Sequence, residues 1–279
     1  MKENQKIIGM HYLKGWILQM SESNVLTSIV EGVLEDLEKR RIPISTLNEQ
    51  LKSAPDLRGA YKSLSKPGMR LIAEIKRSSP SKGALAEIDD AKSLASKYQE
   101  GGADVISVLT EERRFKGSIS DLIDVRNSIE LPVLRKDFIV TEYQVLESRV
   151  LGADLILLIA AVLTRDEIKS LSAFAKSLGL EVLLEVHNQE ELEKSIMPSL
   201  DMIGVNNRNL KTFEVSLDFS KTLADQIPNE FVKVSESGIS SIEAINELKP
   251  FGYQGFLIGE NFMKTDNAGQ AAKEFIAQL

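Results

Sequence analysis

The chain has 279 residues, 43% hydrophobic and 27% charged, enough for one barrel-sized core or two small domains. Its formal charge of -7 argues against a nucleic-acid surface, while a local basic pocket for a phosphate remains open. Cysteine is absent, which removes disulfides, Cys-zinc sites and thiol nucleophiles and leaves a composition compatible with the cytoplasm.

Residues 1–20 mix scattered lysines with broken apolar character. They lack the continuous hydrophobic region and cleavage site of a signal peptide, so a disordered or weakly helical extension is expected, with Met10 and Met20 as alternative starts. Residues 21–66 are expected to form a helical arm. Val25, Leu26, Ile29, Val33 and Leu37 share one helical face, with Ser23 or Asn24 as N-cap, and a second short helix is expected over Asp56 to Leu64. The arm needs a core to rest on. Lys66-Pro67-Gly68 breaks the chain before a barrel assigned to residues 67–279.

From Leu71 onward eight β-rich runs recur: LIAEI, DVISVL, PVLRK, DLILLI, EVLLEV, DMIGVN, FVKVSE and GFLIG. They begin roughly 20 to 35 residues apart, the spacing of a strand-plus-helix unit. Between them lie helical patterns, such as Ile168, Leu171, Phe174, Ala175 and Leu178, and later Ile242, Ile245 and Leu248. Eight such units close most simply into a (β/α)8 TIM barrel with an N-terminal helical extension. The competing doubly wound sheet usually carries a GxGxxG turn after its first strand, and SSPSKG is not one. The longest apolar run, Leu155 to Val162, falls far short of the roughly 20 residues that span a bilayer.

In such a barrel the active site gathers at the C-terminal ends of the strands. In LIAEIKRSSPSKG, Glu74 and Lys76 stand two apart within and just after an apolar run, so an acid and an amine share one strand face. Later strand ends supply Lys136 and Asp137, then Glu185, Asn206 and Arg208, Glu236 and Ser237, and Gly259 and Glu260. A solvated loop residue is the competing reading for each. Apolar neighbours around Lys136 predict a depressed amine pKa, and desolvation of Glu185 predicts a raised carboxyl pKa. Gly238 and Gly259, after strands seven and eight, leave room for a phosphate at backbone amides, or serve as simple turn glycines. Asp104, Asp154 and Asp201 stand at the N-terminal strand ends and belong to the stability face. His11 and His187 read as structural, since neither fits a Ser-His pair or a metal site.

The stretches IAEIKRSSPSKG, ISVLTEERRFKGS, LPVLRKDFIVTEYQV, GADLILLIAAVL, LLEVHNQEEL, IGVNNRNLKTFEV, KVSESGIS and FLIGENFM, in this order, resemble the indole-3-glycerol-phosphate synthase family of tryptophan biosynthesis. The resemblance runs from about residue 21 to the C-terminus and implies a decarboxylating carbon-carbon lyase without metal or organic cofactor. The substrate it implies is 1-(2-carboxyphenylamino)-1-deoxyribulose 5-phosphate, closed into an indole with loss of carbon dioxide and water. It further implies that Lys136 is the general acid, Glu185 the general base and Lys76 the holder of the carboxylate. Glu74 and Asn206 then support these groups, and Arg208 and Glu236 adjoin the substrate. Ser79, Ser237, Gly238, Gly259 and Glu260 fall where the family grips phosphate, and Phe115 and Phe138 where the aromatic ring packs. A monomeric cytoplasmic enzyme, with no nucleic-acid or membrane partner, is expected. The rivals are another ribulose-phosphate-binding barrel, such as phosphoribosylanthranilate isomerase, and a catalytically silent barrel in a pathway complex. The first would use a Cys/Asp pair and the chain has no Cys; the second has no reason to keep Glu74, Lys76, Lys136, Glu185 and Asn206.

Overall fold

The computed structural model describes residues 25–279 apart from 81, 82, 86, 89, 211 and 266. The expectations for residues 1–20, for the Ser23 or Asn24 cap and for His11 lie outside the described residues. Three helices precede the barrel: α1 (Val25–Arg40), α2 (Ile44–Leu51) and α3 (Ala60–Leu64). The strands are β1 (Arg70–Ile75), β2 (Val105–Leu109), β3 (Val133–Lys136), β4 (Leu155–Ile159), β5 (Glu181–Val186), β6 (Met202–Asn206), β7 (Val232–Glu236) and β8 (Gly255–Ile258). Each of the eight β-rich runs became one of them. All pair in parallel, and β8 pairs with β1 to close the barrel. A short antiparallel pair, Ser78–Ser79 with Gly83–Ala84, follows β1.

Helices α4 (Ala91–Glu100), α5 (Ile119–Ser128), α6 (Glu142–Val150), α7 (Arg165–Ser177), α8 (Gln189–Ser195), α9 (Asp218–Ala224) and α10 (Ile242–Leu248) connect successive strands. The short α11 (Glu260–Met263) and α12 (Ala268–Ile276) follow β8. Their starts are written locally: Thr141 and Thr164 cap α6 and α7 in reciprocal capping boxes with Gln144 and Glu167. Helix α7 buries Ile168, Leu171 and Ala175 against the sheet, the stripe its periodicity called for.

At the N-terminal end of the barrel, three aspartates tie neighbouring strands together. Asp104 accepts from the Leu71 amide at 3.0 Å, Asp154 from the Val133 amide at 2.8 Å and Asp201 from the Val182 amide at 2.8 Å. Each stands just before an even strand and satisfies an amide that opens the preceding odd strand. Such an amide would otherwise be buried without a partner. Asp154 also receives the Arg58 amide and pairs with buried Arg126, so the arm is fastened to the same face.

The arm differs from expectation in detail. Helix α1 buries Ile29, Val30, Val33 and Leu37, whereas Val25 and Leu26 remain partly exposed. Residues 56–59 are not helical: Arg58 and Tyr61 give their amides to Asp154 and Glu181, and a helix begins only at Ala60. The unforeseen α2 buries Leu47 in a small cluster with Leu37, Tyr143 and Leu146.

Candidate active site

At the C-terminal end of the barrel a cavity of about 610 Å³ opens between the strand ends. Four ionisable side chains reach it from the four odd strands: Glu74 from β1, Lys136 from β3, Glu185 from β5 and Glu236 from β7. A barrel builds each layer of inward side chains from alternate strands, and here the uppermost layer is charged. Two positions earlier on the same strands stand Ile72, Leu134, Leu183 and Val234, all fully buried. The charged layer therefore rests on a dry floor.

Lys136 is its centre. Its Nζ pairs directly with Glu236 and lies 3.5 Å from Glu185 Oε2 and 3.9 Å from Glu74 Oε2. Lys76, just beyond β1, pairs with Glu74 Oε1 at 2.5 Å. Asn206, at the end of β6, donates to Glu185 and accepts the Arg208 amide at 3.0 Å. Arg208 turns to Glu260 at 3.1 Å, and Lys264 meets the same carboxylate at 2.6 Å.

These pairings reverse two expectations. The apolar neighbours of Lys136 predicted a depressed amine, and burial does push that way. The charges of Glu236, Glu185 and Glu74 outweigh it and hold the amine well above the usual lysine range. Glu185 was expected to rise through desolvation. Burial raises it, but Lys136, His187 and Asn206 overcome that and keep it a carboxylate below its usual range. Glu236 behaves as Glu185 was expected to. Burial is the largest influence, the neighbouring carboxylates add to it, and its pKa is pushed up to about 7 despite Lys136.

Phe115 and Phe138 form an aromatic wall, their ring centroids 6.3 Å apart. Ser79, Ser237, Gly238 and Glu260 also line the cavity, from the segments that follow β1, β7 and β8. The Ser79 hydroxyl is buried and has no hydrogen-bond partner among the described residues. Ser237 holds φ at 63°, a backbone shape uncommon for serine and concentrated at ligand clamps. Gly259 is not part of the lining. A side chain there would strike Glu74, with Oε1 2.7 Å from a Cβ, so this glycine makes room for the carboxylate.

Several contributors escaped the sequence reading. Gly204 is one: a Cβ there would lie 2.3 Å from Glu236 Oε1, and a glycine inside an apolar strand was the available signal. Glu111 accepts the amides of Arg113, Arg114 and Phe115 at 2.7–3.0 Å and shapes the loop that presents Phe115. Val25, Leu26 and Ile29 bring α1 to the cavity, a role no local pattern announces. Asp137, by contrast, was a strand-end candidate in the sequence; it lines the cavity and supports the end of β3, accepting from Thr110, Arg135 and the Phe138 amide. Among the described residues no group of three or more His, Cys, Asp or Glu is placed to hold a metal, and no helix is long and apolar enough to cross a membrane.

The resemblance to known proteins covers the same ground. The family model for indole-3-glycerol phosphate synthase matches residues 26–275. Indole-3-glycerol phosphate synthase of Micrococcus luteus is 44% identical over 261 residues, spanning 91% of this chain and 97% of that protein. The enzyme of that name from Paenarthrobacter aurescens is 45% identical over 260 residues, covering 91% and 96%. Among solved structures, 3-hexulose-6-phosphate synthase from Salmonella typhimurium superposes with a TM-score of 0.60 at 15% identity, covering 75% of this chain and 99% of that one. At that identity it speaks for the barrel alone. With a family match over nearly all its length and relatives above 40% identity, the chain belongs to the indole-3-glycerol phosphate synthase family.

Proposed function

We propose that the charged layer around Lys136 closes the ring of 1-(2-carboxyphenylamino)-1-deoxyribulose 5-phosphate to give indole-3-glycerol phosphate, carbon dioxide and water. The observation that carries this reading is one ammonium held among three carboxylates at the mouth of a cavity with an aromatic wall. The aromatic ring packs on Phe115 and Phe138, and Ser79, Ser237 and Gly238 hold the phosphate.

As the carboxyl-bearing ring carbon attacks the ketone, negative charge grows on the ketone oxygen. Lys136 stays charged through the neutral range and donates its proton there. The forming alkoxide is far more basic than an amine, so a raised lysine pKa does not prevent the transfer. Lys76, steadied by Glu74, holds the carboxylate in line. Carbon dioxide then departs and leaves its bonding electrons to the ring. The new hydroxyl leaves as water, assisted by Lys76, while Glu185 takes the proton whose loss completes the indole. An ionised Glu185 is the form that accepts a proton. Arg208 and Asn206 orient the substrate, and Glu74 and Glu236 hold the two lysines.

The complement of two lysines with glutamates, and the lack of any cysteine, favours this chemistry over an isomerase using a Cys/Asp pair. We further propose that the protein works as a cytoplasmic monomer on a small phosphorylated substrate, without nucleic acid. Lys136→Met is expected to abolish indole formation while leaving the circular dichroism spectrum intact, with Glu185→Gln nearly as damaging. Turnover near the wild-type rate in Lys136→Met would sink the mechanism.

A further inference from the structure

His187 follows β5 immediately and does not line the cavity, yet it is buried against the residue that does. Its Nε2 lies 3.3 Å from Glu185 Oε1 and its Nδ1 lies 3.1 Å from Glu191 Oε2. Glu191 is itself immobilised at the start of α8, taking the His187 amide at 2.8 Å and the Asn188 side chain at 2.8 Å. The imidazole is thus clamped between an anchored carboxylate behind and Glu185 in front. A neutral imidazole carries one N–H, so with a carboxylate at each nitrogen one side would face an acceptor with no proton. The Nε2 contact with Glu185 is an ion-pair approach without hydrogen-bond geometry, and the doubly protonated ring is the form that presents positive charge to both carboxylates.

We infer that His187 is a positioning residue that acts as a fixed imidazolium, locking Glu185 in orientation and in its ionised form. This rests on the reading of Glu185 as the general base. Lys136 is the other cation beside Glu185, and its charge is the largest single influence lowering that carboxyl. Glu185 is faced by Lys136 from β3 and by Asn206 from β6, with Glu74 and Glu236 beyond Lys136. The end of β4 and the turn Ala160–Val162, which packs on α8, hold no titratable group. Lys136 cannot serve Glu185 alone, because it is shared with two other carboxylates. Burial disfavours a charged imidazole, but Glu185 and Glu191 outweigh it and raise the ring to about 10. The charge is therefore kept throughout the working range.

Two measurements on the full-length protein test the inference. Only His11 and His187 exist, so ¹⁵N-histidine spectra compared with a His11→Gln variant assign the His187 ring without ambiguity. The ring nitrogens are expected to remain those of an imidazolium above pH 8; a neutral imidazole at pH 7 would overturn the proposal. The second measurement is the pH profile of kcat in His187→Gln. Without the cation, the Glu185 pKa rises, so the acid limb should move up by roughly one to three units. Below the new value each unit costs about tenfold in kcat. KM should change little, and activity should recover as pH rises. Glu191→Gln, which leaves the ring beside Glu185, should move the limb the same way by less. A His187→Gln profile superimposable on wild type, with Glu185→Gln inactive, would overturn the role of His187 alone. Full activity in Glu185→Gln would overturn the assignment of the base as well, and the two failures are thereby distinguished.

Discussion

Lys136 and Glu236 meet across 100 residues of sequence. Glu74, Lys76, Lys136 and Glu185 could be picked out because a charge inside or at the end of an apolar run persists only with a partner or a ligand. Their protonation could not be read, since its direction depends on which strand ends are neighbours after closure. Glu236 is the consequence most open to experiment. Its folded pKa is raised to about 7, so it is neutral below that pH and adds a negative charge to the cavity above it. The substrate carries a carboxylate and a phosphate, and its capture should weaken as that charge appears. We expect kcat/KM, which reports the free enzyme, to fall as pH rises through about 7 and the fall to vanish in Glu236→Gln. An unchanged inflection in the variant would assign it to another group.

The alternation of β-rich runs with amphipathic stretches made the strands of the barrel legible, because strand and helix periods differ and each unit repeats both. The aspartates at the N-terminal ends were also legible as structural, and the fold supplies the reason: each accepts an amide from the first two residues of the preceding odd strand. Asp154 carries most, holding amides from β3 and the arm as well as Arg126. Replacing it strands a buried guanidinium, and Asp154→Ala should cost about 3–5 kcal/mol. Thermal unfolding checks this, with turnover per folded molecule staying near wild type because the catalytic end lies at the other mouth of the barrel. Helix α2 was passed over because its signals are short. Ile44, Leu47 and Leu51 stand at helical spacing over only two turns, Leu47 alone is buried, and Pro43 precedes the helix without a side-chain cap.

At the scale of the whole molecule, the arm and the barrel share one site. Arg113, two residues from Phe115, reaches Glu35 and Asp36 on α1, while Val25, Leu26 and Ile29 of that helix line the cavity. Its guanidinium holds Asp36 down to about 2. Arg113→Ala should loosen this edge of the site and raise KM by a few-fold with kcat preserved, an effect that grows smaller at high salt as the wild-type pairs are screened. Neither arm nor loop pattern reveals this joint wall, because it arises from contacts between segments nearly 80 residues apart. We propose that the strand ends together form a ring-closing site. The most direct test is indole fluorescence after 1-(2-carboxyphenylamino)-1-deoxyribulose 5-phosphate is added to the purified protein. Ring closure gives a rise in fluorescence with release of one carbon dioxide per indole; no indole signal, with the substrate merely bound or isomerised, would overturn this reading.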